Sequence, residues 1–182
     1  YSVGFRAPSR AELIGDFCDD LLDTMTDDDR YGDPGLPTQE NPGEITGAAI
    51  DGLHAMLLEG LSDRSAFARW FGAYNSTPKY PEIDWRPEDP VSAAEIVSAL
   101  ASEVPLQRNP ASRFSFIRQN GGILLFADGE CFECRGETAE LAELLCAQAA
   151  IMVEEKFANS ASAIDLITRL YNQGSLAFEA ED

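Results

Sequence analysis

Pro78, Pro81, Pro87 and Pro90 punctuate the stretch from Asn75 to Pro90, and no regular element survives that spacing. Each proline removes a backbone donor and biases the preceding residue toward extended conformations. Residues 77–90 therefore read as a linker, with a helical region over 9–76 before it and a mixed domain over 91–182 after it. A chain of 182 residues can bury cores on both sides without disulfides or metal.

Before the linker, Tyr1-Ser2-Val3-Gly4-Phe5-Arg6-Ala7 alternates in the manner of a strand. A lone strand is not stable, so residues 1–8 are expected to complete a sheet whose other strands lie upstream. Pro8 ends it. Ser9 and Glu12 then form a capping box for a helix that carries Leu13, Ile14, Phe17, Leu21, Leu22 and Met25 on one broad stripe. From Thr26 to Gly43 the composition turns to Asp, Gly and Pro, a surface loop. A second helix is predicted from about Thr46 to Leu61, with Ile50, Leu53, Leu57 and Leu61 on one face. A third, capped by Ser62 or Asp63, carries Phe67, Trp70, Phe71 and Tyr74. Three such helices either close as a small bundle or leave a face for a second subunit.

After the linker, Ser92 and Glu95 form another capping box for a helix reaching about Ser102. Phe114–Ile117, Ile123–Phe126 and Glu130–Cys134 read as strands, with Asn120-Gly121-Gly122 and Asp128-Gly129 as hairpin turns. A long helix is expected from Glu137 to about Ala158, and another from Ser160 to Gln173 with Gly174 closing it. The fold class is α+β: a mostly helical region followed by a winged-helix-like domain, with one leading strand.

Thirty-two acidic residues against 13 basic ones give a formal net charge of −19. Nucleic-acid affinity comes largely from clustered Lys and Arg displacing counterions, and here the cations are scattered, so DNA is not an expected partner. The helix beginning at Glu137 carries Glu137, Glu140 and Glu143 with no Lys or Arg before Lys156, which repels a phosphate backbone. No apolar run is long enough to span a bilayer and no polybasic anchor is present. The charge favours a basic protein as partner.

Cys131-x-x-Cys134 is the most tempting chemical motif. Zinc would need two more ligands, and Cys18, Cys146 and His54 form no second pair. A redox pair would open a helix, whereas this one lies on a predicted strand, with its two thiols on opposite faces. Two small half-buried thiols are the simpler expectation, and the cysteine usage fits a reducing, cytoplasmic setting. His54, the single histidine, can build neither a triad nor a metal site alone. Asp27-Asp28-Asp29 lacks the alternation and closing Glu of a calcium loop.

Two stretches carry a resemblance. Tyr1 to Pro8 with the capped helix from Arg10 to Leu22, and Trp70-Phe71-Gly72 after an aromatic-rich helix, resemble bacterial JmjC-type ribosomal oxygenases of the cupin superfamily. The resemblance implies a double-stranded β-helix catalytic domain, a helical dimerisation region and a C-terminal winged-helix domain. It implies Fe(II), held by two His and one carboxylate, and 2-oxoglutarate in the parent protein, which hydroxylates a basic ribosomal protein. This chain, with one histidine, is expected to bind neither, its triad lying upstream. Ser2 is carried over as a neighbour of the substrate pocket. Leu13, Ile14, Phe17, Leu21, Leu22, Leu53, Leu57, Phe67, Trp70 and Phe71 are expected to form the helical core or the interface of a homodimer. Three functional readings follow: a dimerising, cleft-shaping region of the oxygenase, a non-catalytic acidic module that recruits a basic protein, or a metal-binding module through Cys131 and Cys134.

Overall fold

The computed structural model describes residues 8–26, 30–32, 35, 40–80 and 82–178. The expected leading strand, Ser2 within it, and Asp27-Asp28-Asp29 lie outside those residues. The chain divides into two compact units, residues 1–70 and 71–182, and the division falls inside a helix.

The first unit is helical. α1 (Arg10–Thr24) starts at the predicted capping box: the Ser9 N–H donates to Glu12 Oε2 (2.7 Å), and the Glu12 N–H donates to Ser9 Oγ (3.1 Å). This reciprocal pair satisfies two backbone donors that a helix start otherwise leaves open. α2 (Gly47–Leu61) is capped by Thr46. α3 (Arg64–Ser76) starts at Asp63, whose Oδ1 accepts from the Ser65 and Ala66 N–H groups (2.7 and 3.1 Å). Asp63 is thus the cap, and not Ser62. Phe17 of α1 packs edge-on to Phe67 of α3 at 5.2 Å between centroids and against Trp70 at 5.1 Å. In the loop after α1, Tyr31 lies against Gly52 of α2 and Met25 against Gly60.

The second unit holds the larger core. α4 (Ala93–Leu100) uses the Ser92–Glu95 capping box and buries Ile96. β2 (Phe114–Gln119), β3 (Gly122–Ala127) and β4 (Glu130–Cys134) form an antiparallel sheet in the order β2-β3-β4. Asp128 and Gly129, at φ 50° and 90°, make the tight turn between β3 and β4, as an Asp-Gly pair does where both turn residues need positive φ. β3 is buried on both faces. Ile123, Leu125 and Ala127 join the main core, while Leu124 and Phe126 point the other way.

Three strands escape the sequence reading: β1 (Leu106–Arg108), β5 (Ala150–Ile151) and β6 (Leu176–Phe178). They form a second antiparallel sheet, β5-β1-β6, pairing Leu106 with Ile151 and Phe178. The long helix expected from Glu137 to Ala158 is therefore corrected. α5 (Glu137–Ala147) ends where Gln148 turns extended at φ −127° and ψ 143°, and a short α6 (Glu155–Ala158) follows β5. The physical reason is pairing with a strand distant in sequence, Leu106 of β1 taking Ile151 as its partner. Ile151-Met152-Val153 is a consecutive apolar run in which Ile151 is buried and Met152 exposed, a two-residue period that a helix cannot use. α7 (Ala161–Asn172) buries Ile164, Leu166, Ile167 and Leu170. Gly174 ends it at φ 84°, and the Ser175 N–H donates back to Leu170 O (3.0 Å), the left-handed closure that favours glycine.

Candidate functional site

The residues predicted for a core or interface do not share one fate. Phe17 and Trp70 are buried, and with Phe67 they form the aromatic contact of the first unit. Leu13 and Leu21 are half-buried. Ile14, Leu22, Leu53 and Leu57 are exposed, Ile14 by 57% and Leu57 by 66%. Ile50, Leu58 and Leu61 join them, and α2 buries none of its residues. Phe71 falls in the second unit, partly exposed and stacked on Tyr74 at 6.4 Å. Isolated exposed apolar side chains are ordinary, but a helix with its whole apolar stripe in water marks an interaction surface.

Trp70-Phe71-Gly72 acquires a physical reason. A Cβ on Gly72 would fall 2.2–2.4 Å from the ring atoms of Phe126, closer than any side chain tolerates, so α3 approaches the outer face of β3 only because this residue is glycine. One turn later, Ser76 is buried. Its hydroxyl accepts from the Gly129 N–H and donates to Ala73 O, both at 3.1 Å. Sequence reading recognised the motif but not the partner of Gly72, Phe126, which lies 54 residues further along the chain.

Several cations of the second unit are engaged within it. Arg118 pairs with Glu143 of α5, and Lys156 Nζ donates to Glu140 Oε2 at 2.9 Å with Glu154 at 3.5 Å. These bonds hold the Glu143 carboxyl below its ordinary pKa and the Lys156 ammonium above its own. The Arg169 guanidinium lies over the Phe132 ring at 4.6 Å. α5 keeps an acidic face, with Glu137 exposed at its start.

Cys131 and Cys134 lie on opposite faces of β4, as the strand reading requires. Cys134 faces the core with Phe132, while Cys131 is half-buried opposite Phe126. Burial pushes the Cys134 thiol up and raises Cys146 to about 11, so both are protonated thiols at neutral pH. Among the described residues no group of three or more His, Cys, Asp or Glu converges on a metal-sized site. His54 is exposed on α2. With one histidine in the whole sequence, a two-histidine iron site does not fit this chain. Among the described residues no helix is long and apolar enough to cross a membrane.

A feature the sequence reading missed is a cavity of about 630 Å³ lined by Thr77, Pro78, Tyr80 and residues 82–86 together with Asp128, Glu130 and Gln173. The proline-punctuated segment forms one of its walls. Within it, Asp84 accepts from the Arg86 guanidinium at 2.9 and 2.7 Å and from its backbone N–H at 3.0 Å. These bonds hold the Asp84 carboxyl at about 2.

Comparison with known proteins places these elements. Residues 59–177 match the ROXA-like winged-helix family. The ribosomal protein uL16 3-hydroxylase of Escherichia coli is 35% identical over 131 residues, 71% of this chain and 34% of that protein. The crystal structure of the E. coli ribosomal oxygenase YcfD superposes with a TM-score of 0.80 at 29% identity, covering 97% of this chain and 48% of that one. The same oxygenase in complex with cobalt and 2-oxoglutarate superposes at 0.81, with 29% identity and coverages of 98% and 48%. The chain thus spans about half the length of the solved relatives and about a third of the curated one. Its second unit has a winged-helix fold, and the chain belongs to the ROXA-like winged-helix family.

Proposed function

We propose that this chain is the C-terminal dimerisation and cleft-shaping region of a JmjC-type oxygenase that uses Fe(II) and 2-oxoglutarate to hydroxylate a basic ribosomal protein. The observation that carries the reading is the apolar stripe left in water on α1 and α2, in a chain whose fold follows a ribosomal oxygenase over 97% of its length. Residues 9–76 supply the dimer contact, residues 77–90 connect, and residues 91–182 form the winged-helix domain. The iron and co-substrate belong to the portion of the relatives that this chain does not span. Fe(II) with 2-oxoglutarate would supply the oxidising power there, and no step of it passes through the residues described above.

The charge bears on how a substrate is met. A net charge of −19 raises the encounter rate with a basic ribosomal protein and lowers affinity for RNA. The same charge opposes pairing of two copies, so burial of Ile14, Leu22, Leu53 and Leu57 must offset the repulsion. Salt screens that repulsion, and the dimer is expected to tighten as salt rises.

The test is hydroxylation by the whole protein. Incubated with purified ribosomal proteins, Fe(II) and 2-oxoglutarate, it is expected to add one oxygen to one basic protein by mass spectrometry. Retention of a basic protein without any such mass change would instead favour the acidic recruitment module.

A further inference from the structure

The cavity bordered by the proline-punctuated segment is not used by the oxygenase reading. Tyr80 and Trp85 line it and remain half exposed, Trp85 by 53%. Large aromatic rings left in water at the mouth of a cavity lose the burial that normally stabilises them. Their backbone is nevertheless held. A Cβ on Gly174 would meet the Trp85 carbonyl carbon at 2.5 Å, and Arg86 is fastened to Asp84. The Trp85 indole is therefore presented from a fixed point rather than from a loose strand.

The polar groups around it divide into those already engaged and those that are open. Asp84 is committed to Arg86. Asp128 accepts from the Arg113 N–H (2.8 Å) and from the Ser175 hydroxyl (2.6 Å). Glu82 and Glu130 are exposed, line the cavity and enter no ion pair among the described residues. Gln173 donates its amide N–H to Ala127 O (2.8 Å), while its amide oxygen is buried without a donor. Among the described residues the one cation on the lining, Arg86, is already paired with Asp84, and the neighbouring Lys79 lies over the Tyr80 ring.

We propose that this cavity docks an arginine-bearing segment of a basic protein, with the guanidinium against Trp85 and its charge met by Glu82 and Glu130, since the Tyr80 ring already carries the Lys79 ammonium at 5.3 Å. Arginine fits better than lysine because its planar, weakly hydrated head stacks on aromatic faces and presents several donors to carboxylates and to an amide oxygen. An anionic ligand would meet no free cation on the lining. The occupant follows from charge complementarity: open carboxylates beside exposed rings, on a chain carrying −19. The inference rests on this cavity and is independent of the hydroxylase reading.

The experiment titrates the 182-residue chain with a synthetic peptide of alternating Gly and Arg, and with its citrulline counterpart of the same shape but no charge. Binding is followed through the indole N–H resonances and by calorimetry. The arginine peptide is expected to move the Trp85 resonance and to bind less tightly as salt rises, the opposite of the dimer. Trp85→Ala, and Glu82→Gln with Glu130→Gln, should each weaken it roughly ten-fold. A control pair outside the lining, Glu155→Gln with Asp165→Asn, should stay within about two-fold of the parent. The carboxylate variants leave packing untouched, so they decide the matter even if Trp85→Ala fails to fold. Equal binding of the citrulline peptide, an equal loss in the control pair, or an unmoved Trp85 resonance would each overturn the proposal. Hydroxylation by the whole protein reads a different quantity, so failure of either idea leaves the other standing.

Discussion

The two units use apolar residues in opposite ways. The second unit encloses them: Leu106, Leu125, Leu141, Leu145, Ile167 and Leu170 are fully buried in one core built from both sheets and α4, α5 and α7. The first unit, among its described residues, buries Phe17 and Trp70 and leaves Ile14, Leu22, Ile50, Leu53, Leu57, Leu58 and Leu61 in water. Its helices are well capped and its stripes well spaced, so the contrast does not come from poor helix formation. A helix draws most of its stability from packing an apolar face, and here the faces remain open for a partner. One unit thus encloses its apolar residues, and the other leaves most of those described exposed.

The sharpest way to break this contrast is at the tightest contact of the second unit. Gly72→Ala places a methyl 2.2 Å from the Phe126 ring, and overpacking of that kind is expected to cost about 3 kcal/mol in urea unfolding. Adding Phe126→Leu should recover part of the loss, the non-additivity that marks a direct contact. Next in size, Leu141→Ala in the fully buried core should cost about 3 kcal/mol. Leu57→Ala, two-thirds exposed, should change unfolding of the isolated chain by less than about 0.5 kcal/mol while weakening self-association. Equal costs at the two positions would erase the distinction between the units.

Smaller effects sharpen it further. Ser92→Ala removes one half of the capping box of α4 and should cost about 1 kcal/mol by thermal melting. Smallest is the Asp84–Arg86 pair, which is largely exposed to solvent. The Asp84 carboxyl is depressed to about 2 by its Arg86 bonds. A depressed carboxylate contributes its stability above the unfolded-chain value and loses it as pH falls through the folded value. The window is therefore between about 4 and 2, below any physiological pH. Carboxyl carbon resonances should show an Asp84 midpoint near 2, returning toward the ordinary 3.8 in Arg86→Ala.

What was legible in the sequence follows the range over which each signal acts. Caps at Ser9 and Ser92, the Asp128-Gly129 turn and the stop at Gly174 depend on neighbours within a few residues, and each was read from the local sequence. The short apolar run from Ile123 to Phe126, bounded by the Gly121-Gly122 and Asp128-Gly129 turns, likewise exposed a strand. The missed strands are short: Leu106–Arg108 and Leu176–Phe178 each span three residues, and Ala150–Ile151 two. None carries a pattern, and each exists because partners far along the chain supply its hydrogen bonds. The false extension of α5 through Ala158 has the same origin, since only β1 tells Ile151 to leave the helix. The winged-helix fold was visible through the order of its longer elements. The cavity beside Trp85 was not, because its lining unites Tyr80 and residues 82–86 with Gln173 and Gly174. A proline-punctuated stretch says only that no helix or strand runs there, and not what it lies against.

Sedimentation equilibrium decides whether a second copy covers the apolar faces of the first unit. The expected result is the mass of two chains at micromolar concentration, an association that strengthens with added salt, and a shift to the mass of one chain in Leu57→Lys with the melt of the second unit unchanged. A single-chain mass at high micromolar concentration across the whole salt range would contradict it.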